Sequence, residues 1–151
     1  MIFEQSPFDA KWFSHKFKGP GLRYEIAICI VTGHIVWVYG AFPCGSHPDL
    51  KIFRSGLADI LGPTEKVIAD GGYKGETSIW AKGHDPVSSR LEGVIRGRHE
   101  TVNSRLKNFS VLNVCFRHKL SLHAECFYAV ANLVQLAIQN GMPLFEVDYS
   151  E

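Results

Sequence analysis

The sequence predicts a mixed α/β fold in which helices flank a small sheet. Residues 22–42 are rich in β-branched and aromatic residues and predict two strands. A second apolar stretch ends at Asp70 and is followed at once by two glycines. Two long segments near the C-terminus repeat apolar residues with a helical period. The resulting order, β-β-α-β-α-α, is typical of a mixed sheet with helices packed against it.

Composition indicates a single domain over residues 1–151. Hydrophobic residues make up 46% of the chain and charged residues 21%, values that are typical of globular proteins. Because there is no run of 18 apolar residues and no basic-then-apolar leader, we expect an unexported protein with no membrane partner. The four cysteines form no CxxC pair, so they are expected to be reduced.

The spacing of four cysteine and histidine residues resembles that of a zinc knuckle. Its members are Cys115, His118, His123 and Cys126. The surrounding residues are apolar, and free cysteine is among the most frequently buried residue types. We therefore favour core cysteines over a zinc site, with Cys126 on the buried stripe of a helix.

The strand predictions follow from composition and from turn residues. Segments 22–31 and 35–42 flank a turn at Thr32, Gly33 and His34, which predicts a hairpin. A further short strand is possible within 12–17, and segment 65–70 predicts a short buried strand. Residues 71–93 contain five glycines, so we expect an irregular loop there with one turn near 77–81.

The helix predictions rest on period and on end signals. Asp49 is well placed to begin a helix that runs to about residue 61. A second helix is predicted over 96–111, and a third over 121–139, stopped by Gly141 and Pro143. The stripe expected to face the core in the last helix consists of Leu122, Cys126, Val130, Leu133 and Ala137.

The predicted helix 96–111 separates charge from apolar residues. At 100° per residue, Arg96, Glu100 and Lys107 fall within about 60° of one another. Its apolar residues lie on a face rotated by roughly 125° and comprise Val102, Leu106 and Phe109. One face is therefore expected to pack on the core while the other presents a carboxylate between cations. Glu100 on this face and Asp70 at a strand end are candidate ligands for a metal ion that would need a third ligand. Spacing alone favours the alternative that Asp70 caps the turn at Gly71 and Gly72, and Glu100 could instead form helix ion pairs, for instance with Arg96.

Basic residues are concentrated in two segments. Between positions 96 and 119, Glu100 is the one acid among six basic residues: Arg96, Arg98, Arg105, Lys107, Arg117 and Lys119. Such a block suits a polyanion such as nucleic acid, although a solvated helix face is an equal alternative. Lys16 and Lys18 alternate with aromatic residues and could follow a DNA strand, or could protect an edge strand.

Several motifs in this order resemble those of DDE transposases, and most closely the Harbinger (PIF) and IS5-like group. The signature is Asp70-Gly-Gly-Tyr73-Lys-Gly75, followed by Arg96 with Glu100 four positions later and Lys107 seven after that. Similar segments occur at 16–24, 44–50 and 116–118. The resemblance spans roughly residues 6–149. It implies a ribonuclease-H-like mixed sheet with flanking helices.

The resemblance also implies a site and its cofactors. In this family three acids hold two divalent ions, Mg²⁺ or Mn²⁺, which activate a water or a DNA 3′-hydroxyl. Asp70 matches the second acid and Glu100 the third, while Arg96 and Lys107 match residues that hold DNA phosphates. We also expect Arg98, Arg105, Lys16 and Lys18 to bind DNA. The family's tyrosine three positions before the arginine is Gly93 here.

The family's first acid has no clear counterpart in this sequence. It lies on the first strand of the fold, which would precede Met1, so we expect a truncated domain that lacks this strand and is inactive alone. The alternative is a non-catalytic DNA- or protein-binding remnant of a transposase. DNA is the expected partner, together with a separate DNA-binding protein or a missing N-terminal region. An oligomer is possible, and the resemblance implies a nuclear location.

Overall fold

The computed structural model describes residues 7–73, 75–81 and 89–148, and they form a mixed α/β fold as the sequence predicts. The strands are β1 Phe13–Ser14, β2 Gly19–Pro20, β3 Leu22–Ile28, β4 Ile35–Pro43, β5 Val67–Ala69 and β6 Ile79–Ala81. The helices are α1 Asp49–Arg54, α2 Leu57–Ile60, α3 Ser89–Lys107, α4 Ser110–Asn113 and α5 Ser121–Gln139. Single 3-10 turns at Ala10–Trp12 and Gly71–Tyr73 complete the described elements.

The strands form three separate pairs within the described ranges, where the sequence predicted one mixed sheet. β1 pairs with β2 and β3 with β4, both antiparallel, whereas β5 and β6 are parallel. In the part of the chain that the structure describes, no strand joins the β3–β4 hairpin to the β5–β6 pair. The hairpin itself confirms the prediction for residues 22–42, although β3 ends at Ile28, before a turn in which Gly33 donates to the Cys29 carbonyl.

The hairpin lies between two hydrophobic clusters because successive strand residues point to opposite faces. Tyr24 and Ile26 pack, with residues of β4, against a cluster built mainly by α3 and α5. Ala27 and Trp37 pack against the second cluster, whose buried members are Phe53, Leu57 and Ile79. The layers are therefore α3 and α5, then the hairpin, then α1, α2 and the β5–β6 pair.

Three element predictions were wrong in detail. The helix predicted over 49–61 is divided at Ser55 and Gly56, where a β-carbon on Gly56 would lie 2.7 Å from the Tyr39 ring. Residues 79–81 form a strand rather than a turn, with Ile79 buried in the second cluster. The helix predicted over 96–111 begins earlier and ends at Lys107, and α4 follows as a separate turn.

The buried stripe of α5 also differs from the prediction, although the helix has the predicted bounds. Of the predicted stripe, Val130 is buried, whereas Leu122 is 42% exposed and Leu133 is 52% exposed. Cys126 is partly exposed rather than buried. The buried residues are His123, Phe127, Val130, Ala131, Val134 and Ile138. Apolar residues occur nearly all round this helix, so period alone could not choose the face that packs on the hairpin.

Candidate functional site

Asp70 lies directly after β5, as predicted, and is exposed. Its Oδ1 accepts a hydrogen bond from the Gly72 amide at 2.9 Å, which fixes the carboxylate above the turn Gly71–Tyr73. The second Oδ oxygen is an acceptor for which the described residues supply no hydrogen bond. A carboxylate at the carboxyl end of a strand is thus presented to solvent by a turn that its own side chain stabilises.

A second carboxylate lies beside Asp70. A β-carbon on Gly72 would be 3.1 Å from Asp70 Oδ1 and 3.2 Å from Asp49 Oδ2, so both carboxylates border the same point. Asp49, the first residue of α1, also pairs through Oδ1 with Arg23 Nη1 at 3.1 Å. The same Arg23 nitrogen donates to the His47 carbonyl at 2.8 Å. Any other residue at position 72 would crowd both carboxylates.

Glu25 contributes a third acid on the same side of the hairpin. It is 6% exposed, and Trp37 Nε1 donates to its Oε2 at 3.0 Å. Its Oε1 is buried and has no partner within the described ranges. Burial raises the pKa of the Glu25 carboxyl, the bond from Trp37 lowers it, and the negative charge of Asp49 raises it further.

Tyr73 lies near all three acids. Burial raises the pKa of its hydroxyl well above the ordinary value, and the charges of Glu25, Asp49 and Asp70 raise it further. The phenol therefore remains protonated at neutral pH. Its ring meets Phe53 edge-on, with centroids 6.2 Å apart, which ties the turn after β5 to the second cluster. We call Glu25, Asp49, Asp70 and Tyr73, with Arg23, the acidic cluster.

Glu100 lies on the exposed side of α3, as the helical spacing predicts. Lys107 is exposed. Arg96 is partly exposed, and its Nη1 lies 3.8 Å from Glu92 Oε1. The opposite side of α3 buries Val102 and Leu106, as predicted, although Phe109, beyond the helix end, is 36% exposed. Among residues 7–73, 75–81 and 89–148, no group of three histidine, cysteine or acidic side chains is placed to hold a metal ion. The structure records no direct contact between Glu100 and the acidic cluster.

Two arginines predicted to bind DNA hold the C-terminal segment. Arg98 is 5% exposed and donates to the carbonyls of Phe145 and Ile30 at 2.7–2.8 Å. Arg105 donates to the carbonyls of Met142 and Pro143. The Arg98 guanidinium is buried and committed to backbone carbonyls, so it has little left to offer a phosphate, and we correct its assignment to a structural residue. Arg105 and its two carbonyl partners are more exposed, and its contact with DNA stays a prediction.

Lys16 and Lys18 lie in the exposed turn between β1 and β2. Lys16 Nζ is 5.6 Å from the centroid of the Phe17 ring, and Phe17 is 69% exposed. This turn therefore presents two cations and an aromatic ring together, which is compatible with the predicted DNA contact.

His123, weighed above as a zinc ligand, has a partner of a different kind. The Tyr24 hydroxyl lies 2.7 Å from His123 Nδ1, and the Tyr24 ring stacks on Phe127. Burial lowers the pKa of the His123 imidazole. The ring thus joins the hairpin to α5.

Sequence reasoning missed Glu25, Arg23 and the part played by Asp49 in the acidic cluster. Glu25 is the one acid of β3, whose residues after it are all apolar, and this is the signal that could have revealed it. Asp49 was interpreted as the start of a helix, which it is, but its second role depends on the contact across Gly72.

Comparison with known proteins adds no assignment. No family model, curated protein or solved structure matches the chain. None of the helices in the described part of the chain is long and apolar enough to cross a membrane.

Proposed function

We propose that this chain is part of a metal-dependent DNA endonuclease and strand-transfer domain of the DDE type, with a ribonuclease-H-like arrangement. The observation that carries the proposal is Asp70, whose carboxylate is exposed at the end of β5 within the motif that resembles the family. Support also comes from α3, where Glu100 lies on the solvent side near Arg96 and Lys107. Asp70 and Glu100 take the roles of the second and third acids.

The carboxylate oxygens of these residues are suitable ligands for a hard divalent cation, but they supply only part of a site. Mg²⁺ binds carboxylate oxygen and keeps several waters, so one or two exposed carboxylates offer a usable start. When bound, such ions activate the attacking oxygen and stabilise the leaving oxygen of a phosphodiester. A full site needs more anionic oxygen than the described residues bring together. Asp70 and Glu100 would hold such an ion together with a further anionic ligand.

The acidic cluster around Asp70 sets its electrostatic surroundings. Arg23 balances part of the charge of Asp49 through their 3.1 Å contact. Burial raises the pKa of the Glu25 carboxyl. Asp70 is the member with an exposed carboxylate and no ion pair among the described residues. A cation approaching this cluster would therefore meet Asp70 first.

A second candidate function is DNA binding without catalysis. The β1–β2 turn favours it, because Lys16, Lys18 and Phe17 are all exposed there. Charge and stacking of this kind bind single strands with little dependence on sequence. Such a module would bind DNA with steep salt dependence and would need no divalent ion.

The test is a plasmid-nicking assay on the domain supplied with the first strand that the family resemblance implies. We expect nicking in Mg²⁺ or Mn²⁺, and its loss in both Asp70→Asn and Glu100→Gln. The matched control is Asp59→Asn, which changes an exposed acid on α2. Unchanged activity in either site variant would refute the assignment. DNA binding with no metal-dependent nicking would favour the second candidate.

A further inference from the structure

The acidic cluster holds a buried carboxylate oxygen that lacks a hydrogen-bond donor. Glu25 is 6% exposed, and its Oε2 accepts from Trp37 Nε1 at 3.0 Å. Its Oε1 is buried and has no partner among the residues that the structure describes. Buried polar atoms in folded proteins are nearly always hydrogen-bonded, and an unpaired acceptor costs free energy. This oxygen therefore indicates a donor that the described residues do not supply.

Glu25 lies on the side of the hairpin that carries the rest of the acidic cluster. Trp37, which donates to Glu25, packs on the second hydrophobic cluster, and so does Ala27, two residues further along β3. Alternate residues of a strand point to the same face, so Glu25 faces this cluster as well. Tyr73 packs on the same cluster from the turn that follows Asp70. The unpaired oxygen is therefore in the layer that also contains the end of β5.

Asp49 and Asp70 bring two further carboxylates to one point of this layer. A β-carbon on Gly72 would lie 3.1 Å from Asp70 Oδ1 and 3.2 Å from Asp49 Oδ2. Asp70 is exposed and the Asp49 side chain is 37% exposed, so an ion from solvent can reach both. Asp49 pairs with Arg23 through Oδ1, and among the described residues no cation pairs with its Oδ2 or with Asp70. The two aspartates thus present oxygens that a cation can bind.

The charges of the acidic cluster do not balance. Three acids lie near one another, and within the described ranges Arg23 is the cation that pairs with one of them. Burial raises the pKa of the Glu25 carboxyl, and the negative charge of Asp49 raises it further. A divalent cation between the acids would offset this repulsion. Mg²⁺ suits such a place because it binds one or two carboxylates and keeps several of its waters, which are hydrogen-bond donors.

We propose that Asp49 and Asp70 together bind one Mg²⁺ or Mn²⁺ ion, and that Glu25 Oε1 accepts a hydrogen bond from a water on that ion. Two protein ligands completed by waters agree with the finding that no three such side chains in the described part of the chain are placed to hold an ion directly. The inference rests on the proposed function for the metal-binding role of Asp70. Asp49 is then the further anionic ligand that Asp70 and Glu100 need.

The first experiment is isothermal titration calorimetry of Mn²⁺ into the full chain and into two variants, Asp49→Asn and Glu25→Gln. We expect the dissociation constant to rise at least about tenfold in each variant, because loss of a ligand or of its hydrogen-bonding partner weakens metal binding. The matched controls are Asp59→Asn on α2 and Glu125→Gln on α5, which change exposed acids outside the acidic cluster and should leave the constant unaltered. Absence of Mn²⁺ binding, or an unaltered constant in Asp49→Asn, would overturn the proposal.

Glu25→Gln separates a role in metal binding from a structural one. The amide oxygen can still accept from Trp37, so this variant is expected to fold at pH 7 without loss of stability. Weaker Mn²⁺ binding by a chain of undiminished stability would support the role of Glu25. An unaltered dissociation constant would overturn that role.

A measurement on the natural chain serves if Asp49→Asn does not fold. The Trp37 indole N–H is bonded to Glu25, so we expect Mn²⁺ to broaden its NMR signal and excess Mg²⁺ to restore it. A Trp37 indole signal that Mn²⁺ leaves sharp would overturn the proposal.

The outcomes distinguish this inference from the proposed function. Unaltered Mn²⁺ binding in Asp49→Asn, with metal-dependent nicking by the completed domain, would overturn the inference and leave the proposed function in place. Weakened binding in Asp49→Asn, with no nicking by the completed domain, would support the inference and count against the nuclease.

Discussion

Glu25 shows how one residue can link stability to pH. Its carboxyl is buried with one oxygen unpaired, and burial raises its pKa above the ordinary value of 4.5. Between the unfolded and the folded pKa, the folded state therefore binds this proton more strongly than the unfolded chain does. Its favourable contribution to the free energy of unfolding is complete below the unfolded pKa and is lost as pH rises through the folded pKa.

Glu25→Gln is expected to remove this dependence. The amide oxygen can still accept the hydrogen bond from Trp37, and no charge has to be buried at neutral pH. We expect the variant to be more stable than the natural chain at pH 7, with a smaller difference at pH 4. Urea denaturation across this range measures the effect. A variant that is less stable at pH 7 than the natural chain would show that the Glu25 charge is compensated.

Arg98 is a charged residue of α3 that the fold buries. Removing its guanidinium leaves the carbonyls of Ile30 and Phe145 without this donor. We expect Arg98→Ala to lower the free energy of unfolding by about 3 kcal/mol, since bonds to charged donors are stronger than neutral ones. Denaturant unfolding measures this change. A loss below about 0.5 kcal/mol would mean that water replaces the side chain.

At the scale of the element, α3 carries two arginines in different surroundings. Arg98 turns inward to hold the C-terminal segment, whereas Arg96 is partly exposed near Glu100 and Lys107. The helical period placed Glu100, Lys107, Val102 and Leu106 on the sides that the structure shows. It could not place Arg98, because an arginine on the inner side depends on carbonyls supplied by distant segments.

The exposed face of α3 carries a testable DNA contact. We expect Arg96→Ala to weaken DNA binding and to reduce the slope of log affinity against log salt by about 0.9, the value for one lost phosphate contact. Fluorescence anisotropy at several salt concentrations measures both quantities. Arg54→Ala is the matched control, because Arg54 is an exposed arginine on α1 that pairs with Glu76. An unaltered slope in Arg96→Ala would remove Arg96 from the DNA interface.

The sequence predicted the long elements but not the short ones. The hairpin and α5 have enough residues to show a period, and both occur within a few residues of their predicted bounds. β6 has three residues, too few for a pattern, and it is a strand because Ile79 is buried beside β5. The face of α5 was misassigned for the opposite reason, since apolar residues mark both of its sides.

At the scale of the whole molecule, the hairpin separates two kinds of surface. The side toward α1 and β5 carries the acidic cluster, and the side toward α3 and α5 carries the larger hydrophobic cluster. Asp70 could be predicted from sequence because it follows a strand and precedes glycines. Its neighbours Asp49 and Glu25 could not, because they come from elements distant in sequence that only the fold brings together.

The most direct test of the central claim is an NMR titration of the ¹⁵N-labelled chain with Mn²⁺. We expect paramagnetic broadening of the Gly71 and Gly72 amides, next to Asp70, and of amides near Glu100. Asp70→Asn should abolish the broadening at the glycines, whereas Asp59→Asn should leave it unchanged. Broadening confined to other parts of the chain, or unaffected by Asp70→Asn, would contradict the assignment of Asp70 as a metal ligand.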